Sequence, residues 1–234
     1  MTNPSNSLID AMDVLRKSKS HIIPGSVSSR IAAELRAQID DGVLPPGLRL
    51  GEELLSEAFG VSRNTVREAF VELAGERLVE RLPNRGVFVT TPSIDDIVDV
   101  YRMRRVVEVG ALRTGGTPET IANVRAAVER GKLAMVDGNR AELISANQRF
   151  HEAVVAMAQS DRLNGQMSIL LAEMRLFFFS GEHLEAFHER YMKENEGICQ
   201  LIEAGDLDAA SVQLTDYLMR AEAEMVAAQN ERTS

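Results

Sequence analysis

The stretch LLSEAFGVSRNTVREAFVEL, residues 54–73, decides the fold. It holds two short helical patterns parted by Gly60 and two further residues, a length suited to a tight turn. In the second pattern Val66, Ala69, Phe70 and Leu73 recur at the i, i+3, i+4, i+7 spacing of a buried stripe. Arg63 and Arg67 fall together on the opposite side, one helical turn apart, with Asn64 and Thr65 beside them. Ser62 is placed to cap this helix, and Glu52 to Phe59 forms the shorter helix before it.

Working outward, a helix is predicted from Ser26 to about Asp41, with Ile31, Leu35 and Ile39 on one stripe and Gly42 as its stop. VLPPGLRL is a proline-glycine turn with an extended tail. After residue 73, LVERLPNRGVFVT supplies two short alternating strands around a Pro-Asn-Arg-Gly turn. Helix, helix, turn, helix and two-stranded wing is the order of a winged helix-turn-helix, whose second helix enters the DNA major groove. In that arrangement Arg63, Asn64, Thr65 and Arg67 can reach base edges and phosphates.

From Ile94 onward only helical patterns remain, over roughly 94–113, 118–136, 140–158, 161–179, 183–204 and 206–229. Short breaks separate them, at Gly115-Gly116, Gly138, Ser160-Asp161, Gly181 and Gly205. Long helices joined by short turns predict an antiparallel bundle. The fold class is therefore mainly α. Residues 1–25 read as a loosely ordered arm, 26–92 as the DNA-binding domain and 93–234 as a helical effector-binding and dimerisation domain. Within the arm, LIDAMDVLRK is too brief for a helix stable by itself.

Composition fits this division. The 234 residues are 44% hydrophobic, and no apolar run approaches the roughly 20 residues that span a bilayer. MTNPSNSLID lacks the basic start and apolar block of a secretory signal, and Cys199 stands alone, so a reducing cytoplasm is expected. Of the net charge of -9, residues 93–234 carry -8, fifteen basic groups against twenty-three acidic ones. Residues 26–92 are nearly balanced, with eight arginines against ten acids and no lysine. Arginine suits bidentate contact with phosphate and guanine, and a local stripe can bind DNA on an acidic chain.

Three motifs in order, LRAQIDDGVLPPGLRL, LLSEAFGVSRNTVREAFVEL and ERLVERLPNRGVFV, resemble the DNA-binding domain of the GntR family of bacterial transcription regulators. VYRMRRVVEVGAL, NQRFHEAVVAMAQSDRL and LIEAGDLDAASVQLTDYL resemble the FCD effector domain of its FadR subgroup. The resemblance implies that Arg63 and Arg67 make the principal DNA contacts and that Arg85 and Gly86 form the wing tip. Members of the subgroup often carry arginine where Glu53 stands, and an acid there implies an altered footprint. Many FCD domains also hold a divalent metal through an Asp or Asn, a His four residues later and two further histidines. The first pair is present here as Asn147 and His151, whereas the later positions fall on Asn195 and Tyr217, which are poor transition-metal ligands. His188 lies two turns before Asn195, about 10 Å away by helix rise, too far to substitute.

The expectation is therefore no metal and no other cofactor. Asn147, His151, Asn195 and Tyr217 would line a polar cavity, together with Arg104, which matches a family arginine that often faces the pocket. Arg104 either meets a small carboxylate effector, such as an organic or sugar acid, or pairs with Glu108 at i, i+4. His151 is either an effector contact or a core histidine. Phe177, Phe178 and Phe179 suggest an apolar wall. The expected function is a ligand-responsive repressor of a catabolic operon, a homodimer on a pseudo-palindromic operator, because one recognition helix reads too few base pairs. A metal-dependent helical enzyme fused to a DNA anchor, or a winged helix used only for protein contacts, are the competing readings.

Overall fold

The computed structural model describes residues 26–40, 42–177 and 184–233. The expectations for the arm, for Phe178 and Phe179, and for the side chain of His188, lie outside the described residues. Of these, 26–92 with 172–177 form one compact unit, and 93–171 with 184–233 form another.

In the first unit, α1 (Val27–Asp40), α2 (Glu52–Phe59) and α3 (Arg63–Gly75) meet over a shared core. Ile31, Leu35 and Ile39 of α1, Leu55 and Ala58 of α2, and Val66, Ala69, Phe70 and Leu73 of α3 are all buried there. The turn between α2 and α3 depends on Gly60, whose φ of 67° lets its N–H reach Ser56 O. Ser62 then caps α3 by accepting from the Thr65 N–H at 3.1 Å. Arg36 pins α1 to the end of α3 through a two-pronged pair with Glu76, at 2.6 and 2.5 Å.

The wing has three strands rather than two. β1 (Arg49–Leu50), the extended tail after the proline turn, pairs antiparallel with β3 (Gly86–Val89), and β3 pairs with β2 (Val79–Leu82). A two-residue strand exists only through its distant partner, here Arg49 opposite Phe88 and Leu50 opposite Val87, so no local pattern announces it. At the hairpin, Pro83 precedes Asn84 with φ 59°, and the Arg85 N–H reaches Leu82 O at 3.1 Å, as in a type II turn.

The second unit holds α4 (Ile94–Leu112), α5 (Pro118–Val136), α6 (Arg140–Ala156), α8 (Leu184–Ala204) and α9 (Leu207–Thr233), with the first turns of α7 (Asp161–Phe177). Ser93 and Thr117 each close a capping box, and Asn139 caps α6 by accepting from the Glu142 N–H. α6 packs against α4, α5 and α8, while α9 packs against α4 and α8. The four helices α4, α6, α8 and α9 thereby enclose a common interior. Cys199 on α8 is fully buried and its thiol is pushed up to about 11 by burial, an inert core residue. Among the described residues no helix is long and apolar enough to cross a membrane.

Phe70 is only 2% exposed beneath the outward face of α3. Phe70→Ala is expected to lower the stability of the first unit by about 3–5 kcal/mol, read from its transition in a urea titration followed by circular dichroism.

Candidate nucleic-acid interface and buried polar site

The outer face of α3 carries the four polar residues expected there. The side chains of Arg63 and Arg67 are 57% and 56% exposed, since the stripe of Val66, Phe70 and Leu73 turns the opposite side inward. Each of the four is nonetheless engaged within the protein. Arg63 Nη2 donates to Glu53 Oε1, and Arg67 Nε donates to Glu52 Oε2 at 2.8 Å. Asn64 Nδ2 donates to Glu68 Oε1 at 2.9 Å, and the Thr65 hydroxyl lies 2.8 Å from that of Ser62. Pairings 10 and 15 residues apart across the turn leave no periodic trace in the sequence.

At the wing, Arg85 is exposed with its guanidinium 5.7 Å from the Phe88 ring centre, and Gly86 has a φ of 109°. A Cβ on Gly86 would sit 3.3 Å from Arg49 Nε, so glycine there both permits the turn and admits Arg49 alongside. Arg49 is exposed beside the hairpin and is a cation the sequence reading did not single out. Its position follows from the β1–β3 pairing, which has no local signal.

Inside the second unit, the five residues expected around the pocket come together as a packed cluster, with Glu108 and two tyrosines added. Arg104 and Glu108, one turn apart on α4, are 2% and 0% exposed, and Arg104 Nε donates to Glu108 Oε1 at 2.6 Å. The other carboxylate oxygen of Glu108 lies 2.7 Å from His151 Nδ1 on α6. His151 Nε2 is 3.0 Å from the Tyr217 hydroxyl on α9. Beside this chain Asn195 Nδ2 of α8 donates to Asn147 Oδ1 of α6 at 2.7 Å. The Arg104 guanidinium also lies 5.1 Å from the centre of the Tyr101 ring, and Tyr191 meets Tyr217 edge to face. Of the two readings left open for Arg104, the ion pair with Glu108 is present; it leaves part of the guanidinium uncommitted.

The protonation states follow from the surroundings. Burial pushes the Glu108 carboxyl up, but Arg104 and His151 outweigh it and hold the group below its ordinary 4.5. Burial pushes His151 below its ordinary 6.5, against the pull of Glu108. An ionised Glu108 can only accept, so the neutral imidazole carries its proton on Nδ1 and Nε2 accepts from the Tyr217 hydroxyl. Burial raises Tyr217 well above 10 and Tyr101 to about 12, so both phenols stay protonated. Within this cluster two buried atoms, Arg104 Nη2 and Asn195 Oδ1, have no hydrogen-bond partner among the described residues.

These donors do not suit a divalent transition metal. One imidazole, whose Nε2 already accepts a phenol proton, stands with two amides and a tyrosine, while the nearby carboxylate is held by Arg104 and His151. Among the described residues no three His, Cys, Asp or Glu side chains gather to hold a metal. A separate open groove of about 490 Å³, lined in part by Arg130, Arg149 and Glu152, shares no residue with the cluster and was not foreseen from the sequence.

The cluster fixes a pH dependence. In the unfolded chain His151 binds its proton near pH 6.5, whereas the folded protein resists protonating it, so the stability it contributes is complete above that pH and is lost as pH falls through it. Glu108, depressed when folded, also loses its contribution on acidification, below its ordinary 4.5. The melting temperature is expected to drop as pH falls from about 6.5 to about 5, more steeply in the wild type than in His151→Gln.

Comparison with known proteins agrees with both units. Residues 27–89 match the family of bacterial regulatory proteins called gntR, and residues 99–220 match the FCD domain. A GntR transcriptional regulator from Rhodococcus sp. RHA1 superposes with a TM-score of 0.80 and 36% identity, covering 87% of this chain and 99% of that one. The transcriptional repressor RspR of Escherichia coli is 25% identical over 82% of this chain and 86% of its own length. The gluconate operon transcriptional repressor of Bacillus licheniformis is 30% identical over 56% of this chain and 54% of its own. With a winged helix-turn-helix followed by an FCD effector-binding domain, this chain belongs to the GntR family of bacterial transcription regulators, in its FadR-like subgroup.

Proposed function

We propose that this regulator is a repressor of a catabolic operon, acting in the cytoplasm as a homodimer on a pseudo-palindromic operator and released by a small hydroxylated carboxylate. It has no catalytic role in this reading. The observation that carries the DNA half is the exposed polar face of α3, held outward by its buried stripe. Arg63, Asn64, Thr65 and Arg67 would address the major groove, with Arg85 and Gly86 meeting the backbone at the wing. Two copies would give the specificity one recognition helix lacks. Two relatives named as repressors support the sign of regulation.

The effector half is supported by the two orphaned atoms. Arg104 Nη2 is a charged donor awaiting an acceptor, and Asn195 Oδ1 is an acceptor awaiting a donor. A carboxylate beside a hydroxyl answers both, with His151, Asn147 and Tyr217 orienting the ligand. Sugar acids have that pattern, and one relative is named for a gluconate operon. Release from DNA requires the effector to bind the DNA-incompetent state more tightly, by about 10⁴-fold for a near-complete switch.

Arg63→Ala is expected to cost about 1–3 kcal/mol in binding to a duplex enriched from a random library by the wild-type chain, measured against its scrambled sequence. An unchanged preference for the enriched duplex would remove direct readout by α3. For the effector, a screen of sugar acids and hydroxy acids should raise the wild-type melting temperature and leave Arg104→Lys unmoved. A ligand that still stabilises Arg104→Lys binds elsewhere, the groove containing Arg130 and Arg149 being the first place to look.

A further inference from the structure

We propose that Glu52 and Glu53 are specificity-determining residues: a carboxylate brake that suppresses binding to arbitrary DNA while leaving sequence-specific recognition open. This rests on the reading that α3 meets DNA.

The two acids open α2, and each takes one arginine of the reading face, Glu53 with Arg63 and Glu52 with Arg67. The four charges cancel where the protein would first meet the duplex. The acids also stand at the N-terminus of α2, whose amide dipoles would otherwise favour a phosphate. The reading face of the free protein therefore offers little attraction to a DNA backbone, in keeping with the near balance of charge over residues 26–92.

The bonding pattern makes the brake selective. A guanidinium carries five N–H donors. These bonds engage one N–H of Arg63 Nη2 and the Nε of Arg67, leaving Nη1 and the second N–H of Nη2 on Arg63, and both Nη groups of Arg67, uncommitted. A guanine edge presents two neutral acceptors, O6 and N7, and can be met by the free part of the fork while the carboxylate stays in place behind it. A phosphate is an anion, and it must either displace the glutamate or lie beside it against like-charge repulsion. The Arg63–Glu53 pair is exposed, at 57% and 66%, and the Arg67–Glu52 pair is partly so, at 56% and 27%, so they add little to stability and act on binding instead. Duplexes that offer only a backbone are penalised, and duplexes with matching base edges much less.

The test uses full-length wild type, Glu52→Gln, Glu53→Gln, the double variant and Arg63→Ala. Two probes serve, a 30-bp duplex pool with a randomised centre and the duplex that wild type enriches from it. The glutamine variants should melt as wild type does, since both side chains reach solvent. Affinities are read at about 50 mM and about 200 mM KCl. Each arginine freed for a phosphate should enlarge the salt-induced loss of affinity for the random pool by about 3.5-fold, and by about twelvefold in the double variant. The double variant should bind the pool more tightly at low salt, with a smaller change on the enriched duplex, so the specificity ratio falls.

Equal gains on both probes, unchanged affinity, or weaker binding to the pool would each overturn the brake. The DNA reading fails separately: it falls if wild type enriches no duplex, or if Arg63→Ala keeps the full preference for the enriched one. An Arg63→Ala variant that loses preference alongside glutamine variants that behave as wild type removes the brake and leaves that reading standing.

Discussion

A charge that water cannot reach must be met by the protein, and Arg104, 2% exposed in the interior of the second unit, imposes that demand. Glu108 answers it from the next turn of α4 and is in turn answered by His151, which leads to Tyr217. The chain of bonds ties α4, α6 and α9 together with directional contacts that apolar packing alone would not specify. It also settles the chemistry. Glu108 is ionised, the imidazole is neutral with its proton on Nδ1, and the phenol donates to it. An interior wired this way holds its polar groups in fixed orientations, and the two atoms left over, Arg104 Nη2 and Asn195 Oδ1, stand out against it.

Much of the fold could be read before any coordinates. The 3.6-residue stripe on α3, the Gly60 stop and the Ser62 cap are local features, and local features survive in sequence. The helices from Ile94 onward were legible for the same reason, with ends that differ by a few residues. The third strand of the wing was not, because Arg49 and Leu50 become a strand only by lying against Val87 and Phe88. The buried polar cluster was legible in part. Arg104 and Glu108 are i, i+4 neighbours, as are Asn147 and His151, but nothing local links α4 to α9 through His151 and Tyr217. Asn195 and Tyr217 were reached through the family resemblance.

What stayed hidden was the state of Arg63 and Arg67 on α3. The sequence shows Glu53 in a place where an acid is unexpected, but not that it grips Arg63 across the turn, nor that Glu52 does the same for Arg67. Such pairs depend on how α2 crosses α3. That angle is set by Leu55 and Ala58 packing against the α3 stripe, a tertiary matter with no one-dimensional signature.

The two units share one device under opposite conditions. In each, an arginine already holds a glutamate, so in the proposed function recognition would be an exchange or an addition rather than the capture of a bare charge. On the surface of α3 water screens the pair and its net worth is small, so the role proposed for the carboxylate is to filter which acceptors are tolerated. Around Arg104 the interior is closed to bulk solvent; removing Glu108 would strand a buried charge, so the pair is permanent and the proposed effector would have to use the nitrogen Glu108 leaves free. Burial thus converts the same pairing from a selective filter into a fixed scaffold. It follows that the DNA face should respond to salt, whereas the interior cluster should respond to pH and hardly to salt.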